Sequence, residues 1–228
     1  YKVPTKSIRG RGLELVVKWC RVGENVPLDT LTLNKFVEAE FNSPYEEFAL
    51  VLEMREHSAP RVIRTHRPLA IYVPAKRFKL WQTGRSTSKI AQKKAKFRDV
   101  ELDIYRQYIL IYEWIKGVSA AEAFQDIYAD PLERGRALEA LTRKVSDDLV
   151  HKGYRVLDMK PEHVIVRRDE QGRVMRNRRG DVVYALVDFE LLERTAEHER
   201  AVVATRRATY LKKQRDRLSP LAARAFQS

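Results

Sequence analysis

The sequence predicts an α+β fold of two lobes, with strands and one helix first, then helices, a β-hairpin and a closing helix. Three observations carry this. A β-branched run, LELVVKW (13–19), and a continuous apolar run within YRQYILIYEWI (105–115) mark strands in the first half. Two serine-headed capping boxes mark helix starts, one in each half. Two short apolar runs, VIV (164–166) and VVYALVDF (182–189), flank an arginine-rich stretch with turn signals at DEQG and RRGD. The expected division is 1–116 and 117–228.

Taken in order, RGRG precedes LELVVKW, so that strand closes a hairpin. NSPYEEFALVLEMREH (42–57) carries Ser43 as N-cap, Pro44 at the first helical position and Glu46 three residues after the cap. PRVIRTHRPLAIYV supplies one or two short strands. YRQYILIYEWI is too continuously apolar to face solvent on one side. A helix opens at Ser119 with Glu122 in its capping box, and 131–152 is a longer helix with Leu138, Leu141, Val145 and Leu149 on one side. The residues from 193 to 217 read as helical and very polar.

Composition narrows the function classes. Of 228 residues, 44% are hydrophobic and 33% charged, as in folded globular chains. The single cysteine, Cys20, excludes an internal disulfide framework and suits a reducing, cytoplasmic compartment. No apolar run approaches the roughly 18 residues of a membrane span. The net charge of +13 implies an anionic partner or substrate. Residues 76–98 concentrate nine Lys or Arg and no acid, inside a stretch (75–103) expected to be a mobile or protruding insertion. Its expected partner is a phosphorylated substrate, nucleic acid or an acidic membrane surface; solvated surface is the bland alternative.

The chemistry concentrates in two stretches. LDMKPEHVIV (157–166) sets Asp158, Lys160 and His163 on a turn ahead of an apolar run, and LVDFELL centres on Asp188. Phosphoryl transfer needs positioning and charge neutralisation more than covalent chemistry. Asp158 can orient an acceptor hydroxyl and take its proton, and Lys160 can meet charge on the transferring group. Asp188, a carboxylate in apolar company, needs a partner or a metal. Lys18 in LELVVKW can clamp phosphates, held by a helix carboxylate; Glu46 is committed to the capping box, which leaves Glu47. Each has a plainer alternative: an edge lysine for Lys18, an exposed turn pair for Asp158 and Lys160, and a structural salt bridge for Asp188.

These stretches, in this order, resemble the protein-kinase-like superfamily. LDMKPEHVIV resembles the catalytic loop, LVDFELL the metal-binding DFG segment, and VVK the strand lysine. EEFALVLEMREHSAP resembles the helix with its partner glutamate, and YILIYEWIKG the strand entering the hinge. The resemblance covers roughly residues 13–192. It implies a two-lobed kinase-like fold with a compact second lobe, and ATP with Mg2+ or Mn2+ as cofactors. It also implies that the main chain of Glu113 and Ile115 meets the adenine edge, and that Asp188, the residue at 163 and the acid at 190 lie near the metal.

The chain departs from the pattern in four places. His163 stands where the family has a metal-binding asparagine, and imidazole suits magnesium poorly. Glu190 replaces the glycine of DFG. The family's glycine-rich loop has no counterpart, its place falling before residue 4, so the chain is expected to start inside the first lobe. ELLERTAEHERAVVATRRATYLKK leaves no room for an activation loop. The expected function is an ATP-dependent phosphotransferase of atypical kind acting on an unidentified hydroxyl. A silent nucleotide- or partner-binding pseudokinase and an anion- or RNA-binding module are the alternatives.

Overall fold

Strand β2 (Glu14–Trp19) is rich in Val and Leu because it is sandwiched: β1 (Lys2–Pro4) pairs on one edge and β5 (Ile109–Glu113) on the other, both antiparallel. β4 (Pro68–Tyr72) completes a four-stranded sheet in the order β1-β2-β5-β4. The computed structural model describes residues 1–6, 12–27, 39–56, 63–96, 102–206 and 209. Most of the RGRG turn and the residues after 209 lie outside them.

Helix α1 (Pro44–Glu56) begins as its capping box dictates. Ser43 N–H donates to Glu46 Oε2 at 2.7 Å and Glu46 N–H to Ser43 Oγ at 3.1 Å. Val51 and Met54 are buried in the larger core cluster. The short β3 (Arg64–Thr65) turns away from the first sheet and pairs in parallel with β9 (Tyr184–Leu186). A second four-stranded sheet follows the order β3-β9-β8-β6, with β6 at Val118–Ser119 and β8 at Val164–Val166.

The basic stretch corrects an expectation. It is neither structureless nor wholly exposed: Leu80–Thr83 (α2) and Thr87–Lys96 (α3) are helical. Ile90 joins a core cluster with Cys20, Val22, Leu110 and Tyr112. Arg85 is buried, donating from Nη1 to the carbonyls of Ile104 and Arg106. Lys93 is 5% exposed, its ammonium 3.2 Å from Glu46 and 3.6 Å from Glu40. The acids that pair with Lys93 come from distant sequence, so part of the local charge repulsion is offset in space. Arg98 lies outside the described residues.

Helix α4 (Ala120–Ile127) starts at Ser119, whose Oγ accepts from the Glu122 amide. Helix α5 (Pro131–His151) is capped by Asp130 and buries Leu141, Val145 and Leu149. It leads to β7 (Tyr154–Val156), which pairs with β10 (Leu192–Arg194). Between β8 and β9 the arginine-rich stretch folds back through bridges Arg168↔Val174 and Arg176↔Val182, with Gly172 and Gly180 at positive φ in the turns. Tyr1–Glu193 form one compact unit and Arg194–Ser228 a second, in which the described residues 196–206 are helical. Among the described residues no helix is long and apolar enough to cross a membrane.

Candidate functional site

Lys18 sits near the end of β2, opposite Leu110 of β5. Its Nζ lies 3.1 Å from Glu47 Oε1, 2.6 Å from Asp188 Oδ1 and 3.7 Å from Glu190. Burial by itself would lower its pKa; the charges of Glu47, Asp188 and Glu190 outweigh that and hold it above its ordinary value. Glu47, on the buried side of α1, is 1% exposed and also accepts from the Tyr112 hydroxyl at 2.7 Å. Glu46, by contrast, is engaged by Ser43 and Lys93.

Asp188 corrects a detail. It is not within a strand: β9 ends at Leu186, and Asp188 adopts φ +65°, the one positive φ at a non-glycine among the described residues. Aspartate tolerates this region better than most residues because its short polar side chain finds local hydrogen bonds. The turn swings its carboxylate out of the sheet toward Lys18. Burial works against ionisation there, but Lys18, then His163, keep its pKa below the ordinary carboxylate range. Glu190 moves the other way, raised by burial and by the neighbouring Asp188 charge, although Lys18 and Arg21 oppose the shift.

The 157–163 loop is clamped onto the same segment. Leu157 N–H donates to Leu191 O at 3.1 Å, and Val187 N–H donates to His163 O at 3.0 Å. Pro161–His163 form a 3-10 turn whose last residue sets its Nε2 3.5 Å from Asp188 Oδ2. Asp158 and Lys160 pair with each other at 2.7 Å. Thus Lys18, Glu47, Asp188, Glu190 and His163 form one connected group. Asp158 and Lys160 are tied to it through the main chain on both sides.

Beside this group lies a cavity of about 680 Å³. Val16, Lys18, Trp114 and Ile115 line it from the first sheet and the chain that leaves it; Ile165 lines it from the second, and Val187 and Asp188 from the turn after β9. Gly117 marks the crossing between the two sheets. With φ +146°, a Cβ there would meet the Val166 carbonyl oxygen at 2.5 Å, so the backbone approach requires glycine. Ile115 borders the cavity; the Glu113 amide is engaged by the Arg67 carbonyl at 2.9 Å. Any contribution from the Glu113 main chain therefore falls to its carbonyl.

Three residues of this region escaped sequence reasoning. Tyr112 is fully buried and orients Glu47; its only signal is a polar-tipped aromatic on an otherwise apolar strand. Arg21 holds Glu190 at 3.4 Å and stacks its guanidinium over Phe41. His66 borders the cavity from the turn before β4, a place that no spacing rule marks.

The donor set fits a hard divalent cation in part. Asp188 and Glu190 offer carboxylate oxygens, while His163 offers nitrogen, which suits manganese better than magnesium. Among the described residues no three His, Cys, Asp or Glu side chains are arranged as a ready-made metal cage. Magnesium on a triphosphate needs only one or two carboxylates, the rest coming from phosphate and water. No protein-family model matches this chain, and no curated protein is significantly similar to it.

Proposed function

We propose that the protein is an ATP-dependent phosphotransferase of atypical, kinase-like kind, acting on a hydroxyl acceptor. One observation carries the reading: a buried-side helix glutamate, a strand lysine and a turn aspartate meet at 3.1 and 2.6 Å beside an apolar-walled cavity. Their sequence order, and the clamping of the 157–163 loop on the Asp188 segment, support the same reading. The division into lobes near residue 116 belongs to this proposal.

Bound ATP and its metal ion supply the phosphoryl group and the means of neutralising its charge. Lys18, held by Glu47, binds the inner phosphates; Tyr112 keeps Glu47 in place. Asp188 is the residue that holds the metal, with Glu190 and His163 beside it. Asp158 orients the acceptor hydroxyl and accepts its proton, and Lys160 balances the charge nearby. The walls of Val16, Ile165 and Val187 accommodate the flat face of adenine, and the main chain of Glu113 and Ile115 meets its edge.

Phosphate release from ATP by the full-length protein, with magnesium and with manganese, tests the reading. Measurable release that disappears on Asp158→Asn supports it. A second reading, a nucleotide-binding module without turnover, is favoured by Glu190 in place of a glycine and by its approach to Lys18 at 3.7 Å. Nucleotide binding with no release under either metal selects it. For an anionic partner, the exposed Lys76, Lys79 and Lys94 remain as the cations to meet it.

A further inference from the structure

His66 is one of the polar residues that line the cavity. It is 3% exposed, borders the cavity, and has no hydrogen-bond partner at either Nδ1 or Nε2. Its ring lies flat on Tyr112, with centroids 3.9 Å apart and planes at 13°, and Phe189 meets it edge-on at 5.3 Å. Burial first, and then the charge of Lys18, lower its pKa to about 3. The ring is therefore neutral at physiological pH, with one donor and one acceptor to offer. Two unused hydrogen-bonding atoms in an interior are costly unless a functional state employs them.

We propose that His66 reads the base of a purine nucleotide in this cavity, hydrogen-bonding the polar C6 edge of the ring and selecting an adenine amino group. The inference rests on the phosphotransferase reading and assigns its base specificity to a side chain. Tyr112, stacked on His66, cannot do this, because it is fully buried and its hydroxyl donates to Glu47. Lys18 already provides the cation for phosphates, and a neutral imidazole is a poor second one. The apolar walls from two sheets suit a planar ring, and a cavity of about 680 Å³ is of ligand size. The ring nitrogens are sealed in this state, although the residue borders the cavity. A half-turn about Cβ–Cγ exchanges nitrogens for ring carbons along each edge and leaves the plane stacked on Tyr112 unchanged.

Calorimetric titration of the full-length protein, in magnesium, with ATP and with purine riboside 5′-triphosphate, which lacks the 6-amino group, tests this. The wild type should prefer ATP by about three- to ten-fold, the worth of one net hydrogen bond. His66→Phe keeps a flat ring on Tyr112 without ring nitrogens and should bring the two ligands to parity; His66→Gln should restore part of the preference. Equal weakening of both ligands by His66→Phe, or no change in either, overturns the proposal while leaving the phosphotransferase reading standing. If His66→Phe does not fold, the wild type decides. The ring 15N signals of His66 should move on adding ATP and move less with the amino-free analogue, and unmoved signals overturn the proposal. A wild type that binds neither triphosphate overturns both readings.

Discussion

Lys18 Nζ and Asp188 Oδ1 stand 2.6 Å apart although 170 residues separate them in the chain. The contact joins a strand of the first sheet to the turn that follows the second, at the edge of the cavity between them. Glu47 holds the same ammonium from a helix. Lysine and its acids are therefore mutually dependent, and removing the cation leaves several negative charges facing one another.

Lys18→Met should accordingly abolish ATP binding and also destabilise the fold. Glu47 is 1% exposed, so the loss of its cation leaves a buried uncompensated charge, a cost of about 3–5 kcal/mol for a buried pair. Urea denaturation monitored by circular dichroism measures it. Stability equal to the wild type would mean that the Tyr112 hydroxyl alone satisfies Glu47.

Asp188 and Asp158 should separate binding from turnover. Under the proposed function, Asp188→Asn should weaken metal-nucleotide affinity, whereas Asp158→Asn, at the residue proposed to act on the acceptor, should spare affinity and remove turnover. Titration calorimetry and single-turnover assays distinguish the two. His163→Asn should preserve or raise turnover with magnesium, because an amide oxygen suits that ion better than an imidazole nitrogen. A large loss would show that the histidine has a role of its own.

Glu190 predicts a pH-dependent gain. Its folded pKa is raised above the ordinary 4.5 by burial and by Asp188. Below 4.5 the folded and unfolded states are both protonated, and the group contributes nothing. As pH rises from 4.5 through the raised folded value, the unfolded chain ionises first, and the native state loses stability relative to it until the buried acid has ionised too. Glu190→Gln cannot ionise, so it should be more stable than the wild type at pH 7–8, with the difference vanishing in acid. Thermal melts across that range test the sign; a less stable variant at pH 8 would mean that the Arg21 and Lys18 contacts outweigh burial.

The basic stretch should divide by burial. Lys93→Gln should cost about 1–3 kcal/mol, because it strands the carboxylates of Glu46 and Glu40 around a side chain only 6% exposed. Lys94→Gln, on the exposed side of α3, should stay within about 0.5 kcal/mol. If the exposed lysines meet a nucleic acid, Lys76→Gln with Lys94→Gln should flatten the salt dependence of binding by about 0.7–0.9 per lost contact. An unchanged slope removes that partner.

Local patterns in the sequence determined a great deal of this. Ser43, Pro44 and Glu46 specify the start of α1 within four residues, since a cap is satisfied by its own neighbours. The same cap, by engaging Glu46, left Glu47 to face Lys18. The apolar runs at 14–19, 109–113 and 164–166 are strands because burial on a sheet demands that composition. Tertiary structure decided whatever depends on partners far along the chain. Nine positive charges in residues 76–98 read as self-repelling in sequence, yet Lys93 is buried because Glu40 and Glu46 reach it from another element. Asp188 read as a strand residue, and only the positive φ after β9 turns it toward Lys18. His66 carried no pattern at all: its burial, its stack on Tyr112 and its place on the cavity wall arise where β3 leaves one sheet and β4 joins the other. Backbone propensity and capping act over a few residues and are written locally. Charge compensation and cavity walls are set by which distant segments meet, and that is decided only when the chain closes on itself.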